Sequence, residues 1–349
     1  MNFRSFKRVV LSAGVGVAAC FALSGSAMAQ EVTLRFHQFL PAHAHVPKNI
    51  LAVWIENVEK DSGGRIKIEH FPSMQLGGKP SELIDQVSEG VVDIIWTVIG
   101  YTPGRYPRTE AFELPFLMSD TESFSRAFYE FVDTEMRDEE FKDLHVLGAW
   151  VHDPGLFHSK TPVREIADLK GMKIRGASRT VNMLLEELGA IPVGLPVPAV
   201  PESLSKGVID GASLPWGVVA GLKVPELVHN HTEFTGNALF TATFLFAMNK
   251  DRYDSLPDDL KQVIDKNSDI EFSAFAGKVQ EDITVPTREA ARAMGNTVIQ
   301  LDAATTAEWR KAAQPVYDKW AKDMDDKGYD GKGLIAKAEA LAAKYAAGN

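Results

Sequence analysis

The chain has 349 residues, a formal net charge of −10 and one cysteine. That length accommodates two domains, and the excess of acid argues against a nucleic-acid partner, which requires a positive surface. An acidic surface also repels organic anions, so any anion must be attracted by a local site and not by long-range steering.

The N-terminus predicts export. Arg4, Lys7 and Arg8 are followed by an uncharged run from Val9 to Ala22, and Ala27-Met28-Ala29 offers a small-x-small cleavage pattern. Residues 1–29 therefore read as a signal peptide cleaved after Ala29, and losing its three cations takes the net charge from −10 to −13. The run is short for a membrane span, although an N-terminal anchor is the competing reading. Another alternative is lipid attachment at Cys20, because Val17-Ala18-Ala19-Cys20 resembles a lipoprotein processing box. Cleavage after Ala29 leaves no cysteine, hence no disulfide, in the mature protein.

Beyond the leader the pattern alternates between periods of two and 3.6 residues. Val32–Phe36 predicts a strand, and Pro47–Glu59 a helix carrying Ile50, Val53, Trp54 and Val58 on one face. Asp61-Ser62-Gly63-Gly64 stops that helix, and Ile66–Phe71 predicts the next strand. A helix through Leu83, Val87 and Val91 leads to a strand at Val92–Trp96, with another at Leu144–Val151. A second unit follows: strand Gly171–Arg175, helix Val181–Leu188, a strand from Pro192, helix Pro201–Gly207 and strand Val208–Ala212. From Pro257 the chain reads as mainly helical. One helix is marked by Phe272, Phe275, Val279 and Ile283 and is kinked or broken at Pro286. A late strand, Thr297–Leu301, precedes helices around Trp309–Trp320 and Leu334–Tyr345. This is an α/β chain of two lobes, each with a mostly parallel sheet, and the cleft between them is the expected place for a small ligand.

No hydrolase elbow, phosphate loop or dinucleotide fingerprint is present. His43/His45 and His229/His231 form H-x-H pairs, but two imidazoles without further ligands are a weak metal signal, and no metal or other cofactor is expected. His152-Asp153 has the form of a base and its orienting acid, without a nucleophile motif around it. Trp96, Tyr101 and Trp216 lie at or just beyond strand ends, where ligands of parallel α/β sheets bind. Trp54, Trp309 and Trp320 lie within helices and read as core. Arg175 closes a strand before Gly176, a place from which its planar fork can meet a carboxylate; the competing reading is a surface arginine.

Three groups of segments then act together. Ser62-Gly63-Gly64-Arg65-Ile66-Lys67-Ile68 continues into Phe71-Pro72-Ser73-Met74-Gln75-Leu76-Gly77-Gly78. Gly100-Tyr101-Thr102-Pro103-Gly104-Arg105-Tyr106-Pro107 leads to Phe112-Glu113-Leu114-Pro115-Phe116. Asp168-Leu169-Lys170-Gly171-Met172-Lys173-Ile174-Arg175-Gly176 runs on to Leu188-Gly189-Ala190, Pro192-Val193 and Gly207-Val208-Ile209-Asp210-Gly211. In this order, over nearly the whole mature chain, they closely resemble the periplasmic solute-binding subunit of tripartite ATP-independent periplasmic (TRAP) transporters.

The resemblance implies a hinged, two-lobed periplasmic-binding-protein-like fold with one long helix crossing both lobes. Residues 30–152 would form lobe I with a return segment at about 241–275. Residues 153–240 would form lobe II with a C-terminal helical segment at about 276–349. The resemblance also implies a periplasmic receptor, not an enzyme, that delivers a small carboxylate to membrane permease subunits, with Arg175 matching the arginine that pairs with the carboxylate. By register, Gly155 stands where many members carry a second basic residue, while Leu214 and Phe39 stand at polar contact positions.

With Trp96, Tyr101, His152 and Trp216 nearby, one charge in an apolar lining points to an aromatic or largely apolar monocarboxylate. Tyr101 and His152 are the possible partners of a phenolic hydroxyl. The alternatives are a dicarboxylate or sugar acid, the receptor of another transport or sensing system, and a periplasmic hydrolase or lyase using His152 and Asp153.

Overall fold

The computed structural model describes residues 31–346, so the leader, its cleavage site and Cys20 lie outside the described residues. The apolar alternation read in the sequence becomes eleven strands in two sheets among these residues. They are β1 (Val32–Gln38), β2 (Ile66–Phe71), β3 (Ile94–Val98), β4 (Leu144–Val151), β5 (Gly155–Ser159), β6 (Lys173–Gly176), β7 (Ile191–Gly194), β8 (Gly211–Pro215), β9 (Asn230–Glu233), β10 (Thr243–Asn249) and β11 (Thr297–Gln300). The first sheet has the order β2-β1-β3-β10-β4, and the second β11-β9-β5-β8-β6-β7. In the first sheet β1 runs parallel to β2 and β3, whereas β10 is antiparallel to β3 and β4. In the second, β6 is parallel to β7 and β8, and β5 is antiparallel to β8 and β9. The sheets are thus mixed, because strands returning from the other sheet enter each of them against the parallel direction.

Those returns are the joints of the molecule. The chain passes from the first sheet to the second through residues 152–154 and comes back through 234–242. The two passages are bonded to each other: His152 N donates to Ala242 O (2.9 Å), Gly155 N to Phe240 O (3.0 Å) and Thr241 Oγ1 to His152 O (2.6 Å). A third passage is helical. Helix Ile270–Asp282 packs on Thr121–Phe131 and β4, and Thr284–Ala293 packs on Trp216–Val219 and β11. The break falls at Ile283, which leaves Pro286 in the first turn of the second helix, where its missing N–H costs no internal hydrogen bond.

The long helix Ala303–Asp325 reaches both sheets' surroundings. Trp309 packs on Phe157 of β5, while Trp320 Nε1 donates to Glu110 Oε2 (2.9 Å) in the segment after β3. Trp54, Trp309 and Trp320 are fully buried. Side-chain caps start the main helices: Asp120, Ser178, Asp269 and Asp302 each accept a backbone N–H from the first turn.

Several boundaries differ from the sequence reading. The helix predicted through Val91 ends at Ser88, because the chain turns at Glu89-Gly90, and Val91 is 51% exposed. The strands expected at Val92–Trp96 and Val208–Ala212 form two to three residues later, as β3 and β8. The helix Thr121–Phe131 is an addition to the sequence reading, although Phe124, Ala127, Phe128 and Phe131 stand at helical spacing, whereas strands β5, β9 and β10 carry no clear periodic signal. β5 and β10 are buried along their whole length, so neither face needs polar residues and the alternation that marks a half-exposed strand is missing.

Candidate functional site

The sheets meet across a cavity lined from both sides. Phe39, Trp96, Tyr101, His152, Phe240 and Phe244 line it from the first sheet and the returning passage. Arg175, Val197, Ser213, Leu214 and Leu222 line it from the second. The ends of β1, β3, β6 and β8 converge here, as strand carboxyl ends do in ligand-binding α/β sheets. The cavity measures about 40 Å³, on a scale where one water needs about 10–15 Å³. It suits one compact ligand.

Arg175 lines the cavity as a buried cation. Its side chain is 2% exposed, with Nε donating to Leu195 O (2.9 Å) and Nη1 to Ser213 O (3.2 Å). Among the described residues it forms no ion pair, so two neutral carbonyls and Tyr101 are what face a buried guanidinium. Burial pushes its pKa down from the ordinary arginine value, and Tyr101 opposes that shift. An arginine stays charged regardless, and a buried cation is costly until an anion matches it. The Tyr101 hydroxyl accepts Val197 N–H (3.0 Å) and hydrogen-bonds with Arg175. Its own proton is then available to the same anion.

The apolar lining is an aromatic stack. Phe39 lies face to face with Trp96 (4.7 Å between centroids, 15° between planes) and edge-on to Tyr101 (5.5 Å). Trp96 also contacts Phe244 (5.0 Å) and Trp150 (6.4 Å). Phe39, Trp96, Tyr101 and Phe244 both pack the lobe and form the cavity wall, with Trp150 behind them.

Six of the seven residues expected at the site, Phe39, Trp96, Tyr101, His152, Arg175 and Leu214, come together here. Trp216 does not. Its indole is buried within the second sheet's packing, donates to Glu233 Oε1 (2.6 Å) and lies against His158 and His231. The reason is local: β8 ends at Pro215 and Trp216 opens a helix, so strand alternation no longer sets its direction. Gly155 is not in the wall either. A Cβ there would lie 2.3 Å from the Phe240 ring, so Phe240 occupies the space a side chain at Gly155 would need. Sequence reasoning missed Phe240 and Phe244, which sit on or beside a strand without periodic signal. Three of the four H-x-H histidines bond within the protein: His45 to Asn49 and Val279 O, His229 to Asn296, and His231 to His158, while His43 is exposed. Among the described residues no cluster of three His, Cys, Asp or Glu forms.

The segments that follow β3 and β6 touch at Gly100 and Ser178. A Cβ on Gly100 would fall 2.4 Å from that of Ser178, so only glycine permits the approach. Beside this contact Glu113, 1% exposed, accepts Thr243 N (2.9 Å) and Thr243 Oγ1 (2.8 Å). Burial pushes its pKa up to about 7, while bonds from Ser178 and Thr243 push the other way. A carboxyl raised in the folded state contributes stability that is full below the ordinary carboxyl range and is lost as pH rises through about 7. Thermal melts should therefore fall from pH 5 to pH 8. Glu113→Gln should flatten that part of the profile, and an unchanged slope would remove Glu113 as its cause.

Two mixed sheets joined by three passages, with a buried unpaired arginine facing an aromatic cavity between them, define a two-lobed solute-binding protein. The chain matches the family described as bacterial extracellular solute-binding protein, family 7 (DctP), over residues 37–323, and it belongs to that family, the solute-binding proteins of TRAP transporters. A TRAP solute-binding protein from Rhodoferax ferrireducens T118, solved with copurified benzoate, is 50% identical; the match covers 90% of this chain and 98% of that one, with a TM-score of 0.88. A marine metagenome TRAP protein specific for aromatic acid ligands, solved with 3-hydroxybenzoate, is 45% identical over 90% and 99% of the two chains, also at 0.88. The C4-dicarboxylate-binding periplasmic protein DctP of Rhodobacter capsulatus is 26% identical over 322 residues, 90% of this chain and 94% of that one. Among the described residues no helix is long and apolar enough to cross a membrane.

Proposed function

We propose that this protein captures an aromatic or largely apolar monocarboxylate in the periplasm and delivers it to TRAP permease subunits without transforming it. The observation that carries the reading is the wall itself: Arg175 is the one Arg or Lys among the lining residues, and aromatic and aliphatic side chains supply most of the rest. A dicarboxylate or sugar acid needs several polar partners, because each buried group left unpaired costs ~1–3 kcal/mol. The place by register for a second cation, Gly155, is backed by the Phe240 ring. Ring contact with the aromatic wall would add ~0.5–1.5 kcal/mol for a planar ligand. Benzoate and 3-hydroxybenzoate in the two similar structures support the same class.

Ser213, the one serine in the cavity wall among the described residues, gives its hydroxyl proton to Arg175 O (2.7 Å), which weighs against the enzyme reading. The division into lobes at residues 152–153 and about 240–241 is part of this proposal. It is supported by the bonded passages at those points.

A thermal-shift panel on the exported protein, whose N-terminus should be Gln30, tests the function. Benzoates, hydroxybenzoates or cinnamates should raise the melting temperature, and the recovered ligand should be unaltered. Stabilisation by succinate, malate or hexuronates with none by aromatic acids would overturn the reading.

A further inference from the structure

His152 and Asp153 lie on the passage from β4 to β5. Asp153 is fully buried, and its partners come from three elements. Oδ1 pairs with His152 Nδ1 (2.7 Å), and Oδ2 accepts Gly217 N (2.9 Å) and Thr284 Oγ1 (3.2 Å). A carboxylate only accepts hydrogen bonds, so the ring proton sits on Nδ1, and in the neutral imidazole Nε2 presents a lone pair. Other polar side chains of the wall are committed elsewhere. Both His45 nitrogens are bonded, Ser213 donates to Arg175 O, and Tyr101 accepts from Val197 and Arg175. The Trp96 indole N–H is buried without a partner, but it is a donor only and cannot take a hydroxyl proton. His152 Nε2 has no protein partner among the described residues, and His152 lines the cavity.

We propose that His152 Nε2 accepts a hydrogen bond from a hydroxyl on the ligand's ring, so that the site selects a hydroxylated aromatic acid over its unsubstituted parent. The proposal rests on the aromatic-acid reading above. It separates the two polar candidates the sequence left open: Tyr101 serves the carboxylate beside Arg175, and His152 serves the hydroxyl. Asp153 is a positioning residue that holds the tautomer. Because Arg175 stands on β6 of the second sheet and His152 on a passage bonded to Ala242, a ligand held at both groups ties the sheets together.

Calorimetry decides the matter with benzoate, the three monohydroxybenzoates and their methoxy counterparts. One hydroxy isomer should bind wild type roughly tenfold tighter than benzoate, and its methoxy counterpart, which has no proton to give, should not. In His152→Phe the ratio of that isomer to benzoate should fall to about one. Asp153→Asn, whose amide can donate to Nδ1 and move the ring proton to Nε2, should lower the same ratio and covers the case in which His152→Phe does not fold. The inference is overturned if no hydroxy isomer exceeds benzoate, if the methoxy compound keeps the advantage, or if the ratio survives in His152→Phe. If wild type binds none of these acids, the aromatic-acid reading falls first and this inference with it.

Discussion

Arg175→Ala should abolish measurable ligand binding in calorimetry while circular dichroism and gel filtration show the fold retained. The physical case is the mismatch around the guanidinium. It is buried, it spends two N–H groups on carbonyls of Leu195 and Ser213, and it has no carboxylate partner among the described residues. A ligand carboxylate supplies the missing charge in a site removed from water. Truncating one member of a buried pair typically costs ~3–5 kcal/mol, a loss of roughly two to four decades in affinity. Arg175→Lys should also bind poorly, since an ammonium cannot hold both carbonyls and a carboxylate with one planar fork. Near-native affinity in Arg175→Ala would remove this residue from the site.

Gly155→Ala should cost both stability and affinity. The added Cβ would lie 2.3, 2.4 and 2.6 Å from three atoms of the Phe240 ring, far inside contact distance. Gly155 N is bonded to Phe240 O, so the two residues are held together across the paired passages and the backbone cannot simply open. Overpacking of this kind typically costs ~1–3 kcal/mol, read in a denaturant melt. The ring has to move, and because Phe240 lines the cavity, affinity for an aromatic acid should drop about tenfold or more. The double variant Gly155→Ala/Phe240→Leu should recover part of the stability. Wild-type melts and affinity in Gly155→Ala would show that the ring yields without effort.

Arg175 can be nominated from the chain because it closes a predicted strand and its neighbours carry the family pattern, but only its burial in the cavity wall separates it from a surface arginine. Phe39 and Leu214 can be nominated by register, Trp96 and Tyr101 by their places at or beyond strand ends, and His152 as half of the His152-Asp153 pair. Trp216 escapes this reasoning because its direction depends on the change from strand to helix at Pro215, which no local pattern announces. Phe240 and Phe244 escape it for a related reason. Their strand and residues 238–242 before it are buried, and apolar residues that face inward in every direction leave no period to read.

By itself, then, the sequence determined the α/β alternation and the family pattern, since each is written in local spacing. Tertiary structure decided which rings line the cavity and what fills the space beside Gly155. Those outcomes depend on contacts between residues far apart in the chain, Gly155 against Phe240 and His152 against Thr241 among them, and such contacts arise only when the two sheets fold against each other.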